Sequence, residues 1–185
     1  MPELPDVECF RRVLTKGALR KTVGQVVVSD VRILGKLSVQ TLISRLRGAK
    51  LVEVRRHGKH LLAHLDRGGW LTLHFGMSGA LQFVSKAAAA PPFTRVRLDL
   101  VGNGSIVYTN KRMIGRVGLA EDAGDFVADE QLGPDALDRR FDFAAFMTAA
   151  LGLKRDVKSV LMDQQIVAGI GNISSDEILS LRTDS

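Results

Sequence analysis

Cysteine occurs once in the 185 residues, at Cys9. A single cysteine excludes an internal disulfide and every zinc site that needs two or more thiolates. No apolar run approaches the ~20 residues that cross a bilayer. The N-terminus carries Glu3 and Asp6 where a secretory signal would carry basic and then apolar residues. These absences predict a reducing, bacterial-type cytoplasmic setting, associated with the nucleoid and not with a membrane. Disorder is disfavoured as well, because 45% of residues are hydrophobic and 25% charged, an ordinary globular balance. What is present in excess is positive charge. The net charge is +6 and the isoelectric point about 9.8. An acidic partner is expected, with nucleic acid the first candidate.

The hydrophobic pattern divides the chain. Val7, Phe10, Val13 and Leu14 are spaced as on a helix, and Asp6 and Glu8 suit its first turn. Residues 25–34 are β-branched and predict a strand. Residues 38–48 predict a short helix, capped by Ser38 and ended by Gly48. From Lys50 onward, strand-like runs alternate with glycines, and Gly102-Asn103-Gly104 marks a hairpin. Residues 84–93, rich in alanine and proline, predict a loop. An acidic stretch follows, and after it the periodicity is helical. The predicted fold class is α+β: an N-terminal β-sandwich with a long N-terminal helix over residues 1–120, a linker over 121–138, and a helical domain over 139–185.

Five segments carry chemistry. Removal of Met1 would leave Pro2 as a free secondary amine, able to attack an aldehyde-like carbon. An α-amine near pKa ~8 is about 10% neutral at pH 7, against less than about 0.1% for lysine. Glu3, beside it, suits a general acid. Alone, the pair reads as an ordinary terminus. Arg55-Arg56-His57-Gly58-Lys59-His60 concentrates cations at a strand start, with His57 and Lys59 expected on one face; its plain reading is a solvated basic edge. His74-Phe75-Gly76-Met77-Ser78-Gly79 ends a strand in a glycine-framed turn, with Met77 as an apolar wedge or as core filler. Asn110-Lys111-Arg112-Met113-Ile114-Gly115-Arg116 brackets two apolar residues with cations, as minor-groove wedges do, or tucks both into the core. Gly169-Ile170-Gly171-Asn172 points backbone amides at a helix N-terminus, a ready anion site, with Lys154, Arg155 and Lys158 expected on the preceding helix. Its plain reading is a tight helix–helix turn.

In combination the segments say more. MPELPDVE (1–8), HGKHLL (57–62), HFGMSG (74–79), NKRMIG (110–115), LGPDAL (132–137) and LMDQQIVAGIGNISSDEIL (161–179) occur in one order. The chain thereby resembles the formamidopyrimidine-DNA glycosylase/endonuclease VIII family, its opening being closer to the formamidopyrimidine branch. The resemblance implies a β-sandwich followed by a helix-two-turn-helix domain, and a DNA glycosylase with AP lyase activity on oxidised purines. It implies Pro2 as the nucleophile forming a Schiff base at C1′, Glu3 as the general acid, and Lys59 as proton donor and phosphate contact. Met77 and Arg112 would fill the gap left by a flipped base, with Ile114 as a wedge. Arg112 would also read the orphaned cytosine. His74, Lys154, Lys158 and Asn172 are the remaining DNA-contact candidates, and damaged double-stranded DNA is the expected partner.

The sequence departs from the family pattern at four of these places. Asp6 stands where glutamate is usual, Phe93 where a histidine is expected, Ile114 where phenylalanine inserts, and Ser174 where tyrosine follows GIGN. The family also continues past this length into a four-cysteine zinc finger. The expectation is therefore an incomplete helical domain with no metal site and no cofactor in this chain. An exposed apolar patch is predicted around Ile166, Ile170, Ile178 and Leu181, giving marginal stability or self-association. Two other readings stand beside catalysis: a non-catalytic or fragmentary remnant that binds abasic or bent duplex DNA, and a basic RNA-binding protein.

Overall fold

A computed structural model describes residues 1–86 and 88–181; residue 87 of the predicted 84–93 loop and the last four residues of the helical segment lie outside it. Helix α1 (Leu4–Ala18) buries Val7, Leu14 and Ala18 along one stripe, with Phe10 packed on the same core. Asp6 accepts the Glu3 amide at 2.9 Å and so holds the entry to the helix.

Two four-stranded antiparallel sheets follow. One has the order β1 (Val23–Val28), β6 (Thr94–Leu100), β7 (Ser105–Asn110), β5 (Gly79–Val84). The other has the order β2 (Leu51–His57), β3 (His60–Leu65), β4 (Trp70–His74), β8 (Arg116–Ala120). Alternating residues supply the core between them. Leu61, Ala63, Leu65, Leu71, Leu73 and Val117 belong to one sheet, and Leu81, Val96, Leu98, Ile106 and Tyr108 to the other. The outer face of the second sheet carries cross-strand ring pairs: His60 stacks on His74 at 4.7 Å and His64 on Trp70 at 4.6 Å. The α+β class and the sandwich stand as expected, as do α2 (Val39–Leu46), capped by Ser38, and the 102–104 hairpin.

Four expectations need correction. The strand predicted over 25–34 stops at Val28: the Asp30 carboxylate accepts the Arg32 amide and pairs with its guanidinium. That turns 31–34 into a single tight helical turn that buries Ile33 and Leu34. His57 and Lys59 do not share a strand face, because Gly58, at φ +53°, and Lys59 form the two-residue turn between β2 and β3. The acidic stretch 121–138 contains a helix, α3 (Ala123–Asp129), whose first amides Asp122 caps.

The fourth correction concerns the C-terminal segment, which is less helical than its pattern. It holds α4 (Phe143–Ala150), α5 (Val157–Met162) and α6 (Asn172–Ser180). Residues 163–171 form an irregular loop, paired through Ala168 with Pro134 and Ala136. Lys154 and Arg155 precede α5, because Asp156 caps that helix.

Candidate functional site

Three sequence-distant pieces meet at one place: the N-terminus, the β2–β3 turn and the 168–172 loop. Glycine permits the contact. A Cβ on Gly58 would press on Ala168 at 2.7 Å, and one on Gly169 on the Leu4 side chain at 2.7 Å. A Cβ on Gly171 would land on the Glu3 carboxylate itself.

Glu3 is the centre of this junction and is almost wholly buried. Its Oε1 accepts the Ile173 amide at 2.8 Å, and its Oε2 accepts the Ser174 amide at 2.9 Å and the Ser174 hydroxyl. The anion site predicted at the N-terminus of α6 therefore exists, and the protein's own carboxylate fills it. Burial pushes the Glu3 carboxyl upward. The Ser174 hydroxyl, the two amides and the Lys59 ammonium outweigh burial and hold it below its ordinary value. Lys59 is itself lowered by burial, against the opposing pull of Glu3. An ionised carboxylate thus faces an ammonium beside the chain terminus. Pro2 lies next to Glu3, half-buried, behind an exposed Met1.

A buried ion pair fixes the turn that carries Lys59. Arg56 and Asp135 form a two-pronged pair at 2.5 and 2.8 Å, with side chains 8% and 13% exposed. Asp135 also accepts the Gly58 amide at 2.6 Å. Next to it His57 Nε2 lies 2.8 Å from the Gly133 carbonyl. Gln164 braces the loop opposite: its amide donates to the Met162 and Ile170 carbonyls and its oxygen accepts the Gly169 amide. Sequence reading missed Asp135, Arg56 and Gln164 as parts of the site. Each lies in a segment the sequence singles out, Arg56 in the basic run 55–60, Asp135 in LGPDAL and Gln164 in the 161–179 motif, but nothing there assigns it a role.

The other candidates form an exposed rim. Met77 and Ile114 are 45% and 54% exposed at adjacent loop tips. Arg112 Nη1 lies 3.5 Å from the Met77 sulfur. Of the two apolar residues in that loop, Met113 packs on the core and Ile114 points outward. One fully buried side chain, Asn110, organises both loops. It donates to the Phe75 carbonyl at 3.0 Å and accepts the Met113 amide at 2.8 Å, while the Ser78 hydroxyl links it to the Arg112 amide. His74 is stacked on His60 beside a cleft of about 510 Å³ that Arg32, Thr72 and Arg116 also line. Burial first, then the nearby Lys59 and Arg116 charges, lower His74. Burial and the surrounding cations take His60 down to about 3.

On the helical segment, Lys158 pairs with Asp176 at 2.6 Å. Asn172 opens α6, exposed, and Lys154 is exposed before α5. The predicted apolar patch is present only in part. Ile178 and Leu181 are exposed, whereas Ile166 is buried.

Fold and site together define a β-sandwich whose N-terminus is seated on a helical domain, with cation-flanked apolar loop tips on the rim. Comparison with known proteins agrees. A family model for the formamidopyrimidine-DNA glycosylase N-terminal domain matches residues 1–117, and one for the formamidopyrimidine-DNA glycosylase H2TH domain matches residues 132–182. The chain belongs to the formamidopyrimidine-DNA glycosylase family.

Among its relatives, the formamidopyrimidine-DNA glycosylase of Moorella thermoacetica is 37% identical over 181 residues, covering 97% of this chain and 66% of that protein. That of Halorhodospira halophila is 36% identical over 180 residues, again covering 97% of this chain and 66% of the relative. This chain thus spans just under two thirds of the length of those relatives. Lactococcus lactis formamidopyrimidine DNA glycosylase, non-covalently bound to DNA containing an AP site, superposes with a TM-score of 0.88 at 24% identity, covering 96% of this chain and 68% of that one. MutM in complex with DNA containing carbocyclic 8-oxo-G gives 0.88 at 25% identity, covering 96% and 68%. Among the described residues no helix is long and apolar enough to cross a membrane.

Proposed function

We propose that this chain carries the reacting terminus and lesion-flanking surfaces of a DNA glycosylase/AP lyase that acts on oxidised purines in duplex DNA. The observation that carries the reading is the Glu3 carboxylate, ionised at the head of α6, next to Pro2 and facing Lys59. Once Met1 is removed, the Pro2 nitrogen bonds C1′ of the damaged nucleotide as the C1′–base bond breaks, and the departing base takes a proton from the Lys59 ammonium. Glu3, held below its ordinary pKa, begins as a proton acceptor. It takes the proton released by the Pro2 nitrogen and returns it to O4′ as the sugar ring opens, leaving an iminium at C1′. The general-acid role expected from the sequence therefore comes second, after the carboxylate has been loaded. Lys59 supplies positive charge and a proton beside it. The iminium then loses a C2′ proton to the Glu3 carboxylate, free again once O4′ is protonated, as the C3′–O bond breaks and the 3′ phosphate leaves; water hydrolyses the remaining imine and frees Pro2.

Extruding a nucleotide leaves a void in the duplex. Met77, Arg112 and Ile114 are the residues proposed to enter it, with His74, Lys154, Lys158 and Asn172 on phosphates. His74, being lowered, serves as a neutral hydrogen-bond partner, and Lys158 must exchange Asp176 for phosphate. Ile114 is branched and cannot stack as a ring does. The reading includes no cofactor. A four-cysteine zinc site does not fit this chain, whose one cysteine, Cys9, is exposed on α1. No cluster of three metal-ligating side chains occurs among the described residues. Nucleoid localisation follows from duplex binding, and self-association would use the exposed apolar side chains of α4 and α6.

Borohydride trapping on a duplex with one abasic site tests the reading. Chain lacking Met1 is expected to form a covalent complex, and Pro2→Gly to lose most of it. Full trapping by Pro2→Gly would show that the secondary amine is dispensable, its own terminal amine taking over, and full trapping by chain that retains Met1 would remove the Pro2 nitrogen from the mechanism. With Met1 in place the Pro2 nitrogen is an amide, so the same chain should bind and not react. Binding without trapping by correctly processed chain would favour the DNA-binding remnant.

A further inference from the structure

The hydrogen bonds around Glu3 are unequal at its two oxygens. A carboxylate offers about four acceptor positions, two on each oxygen. Oε2 takes both the amide and the hydroxyl of Ser174, whereas Oε1 takes only the Ile173 amide. Any residue at position 174 would supply the amide. Only a hydroxyl on a short side chain supplies the second bond as well. The neighbouring serine behaves differently: the Ser175 hydroxyl donates back to the Asn172 carbonyl and stays within α6.

We propose that Ser174 is a positioning residue that fills Oε2 of Glu3 and leaves Oε1 as the single oxygen through which the carboxylate exchanges its proton. The inference rests on the lyase reading for its consequence in the reaction, and on geometry alone for the contact. The groups that face Glu3 are few. Lys59 approaches from the β2–β3 turn and favours the ionised form. Asp6, on the same helix, takes the Glu3 amide and leaves the carboxylate to α6. The helix α6 contributes its N-terminal amides and the Ser174 hydroxyl, and Pro2 adjoins in the chain. A hydroxyl bonded to the charged form stabilises that form, so its removal makes Glu3 easier to protonate. It also opens a position on Oε2, so the proton has two oxygens to settle on where the wild type offers one.

Two readouts test this on chain lacking Met1. The first is the carbon-13 titration of the Glu3 side-chain carboxyl, which needs no activity. The second is the pH profile of borohydride trapping on a duplex with one abasic site. Ser174→Ala is expected to raise the Glu3 midpoint by about one pH unit, the size of one charge-assisted hydrogen bond after screening. The acidic limb of trapping should move up with it. Ser174→Thr, which keeps the hydroxyl, should restore both, and Ser175→Ala should leave the Glu3 midpoint in place. An unchanged Glu3 midpoint in a folded Ser174→Ala would overturn the proposal, as would a folded Ser174→Thr that titrates like the alanine variant. If the wild-type chain does not trap, the lyase reading fails on its own and the titration still decides the role of Ser174.

Discussion

The sandwich and the helical segment are held together by different forces. In the sandwich, aliphatic side chains from both sheets and α1 close over one another, and many are wholly buried. In the helical segment, α4 buries no residue and α6 only Ser175, and apolar burial is confined to a small patch of Val160, Leu161, Ile166, Val167 and Ala168 on α5 and the loop after it. Phe143 and Leu181 are 77% and 79% exposed. Beyond that patch, the segment meets the sandwich through polar contacts: the Arg56–Asp135 pair, the backbone bonds around Ala168, and the Glu3 carboxylate at α6. Hydrophobic burial is non-directional, whereas a two-pronged ion pair or a carboxylate on two amides fixes an orientation. The junction at Pro2 and Glu3 is thus oriented by directional contacts, on a scaffold set by burial. The geometry proposed for catalysis should therefore fail before the sandwich does.

Removing the Asp135 partner should separate the two regions most clearly. Asp135→Ala leaves the buried Arg56 guanidinium with only Glu8, 3.7 Å away, and the Gly58 carbonyl, so the cost should fall below the about 3–5 kcal/mol of a fully stranded buried charge. Hydrogen exchange is expected to lose protection in 157–180 while β3, β4 and β7 keep theirs. Uniform loss across both regions would mean that the segment is part of the sandwich's own cooperative unit. The converse experiment is Asn110→Ala. It leaves the Met113 amide and the Phe75 carbonyl without their partner, at about 1–3 kcal/mol. Its effect should be read in the 75–79 and 110–115 loops and in weaker binding of abasic duplex, with the helical segment unchanged. Exchange in 157–180 that rises with it would blur the distinction between the regions.

Acid gives the most graded contrast. In the unfolded chain His60 takes a proton near its ordinary 6.5, and in the fold only near 3. Its contribution is therefore full above 6.5 and is lost as the pH falls from there toward 3. Glu3 and Asp135 are also depressed in the fold, so their contributions are lost as the pH falls through the carboxylate range. Melting temperature should accordingly drop from pH 7.5 to 4, and His60→Phe should flatten the first part of that drop. A wild-type profile that is level down to pH 4 would contradict the buried, neutral His60.

Much of this was readable in the sequence, because it is local or periodic. The α1 stripe, the Ser38 cap, the 102–104 turn and the exposed loop tips at Met77 and Ile114 all lie within a few residues of their own signals. Grouping Pro2, Glu3, Lys59 and GIGN required the order of motifs along the whole chain. The unread parts are contacts between distant residues. Glu3 and Ile173 are 170 residues apart, and Arg56 and Asp135 are 79 apart. No periodicity announces such a pairing, so an amide cluster that suggested an anion site gave no sign that its anion was Glu3. The same limit hid Asn110, whose partners sit on two other strands' ends. The helix lengths were overread for a related reason: apolar spacing continues through 163–171, but Gln164 and the glycines spend those backbone groups on a loop.

The central claim is that the reacting atom is the Pro2 nitrogen, and peptide mass spectrometry of the borohydride-trapped complex tests it most directly. Chain without Met1 should carry the reduced sugar remnant on the peptide that begins at Pro2. A remnant on a peptide containing Lys59, or on any other lysine, would contradict the account.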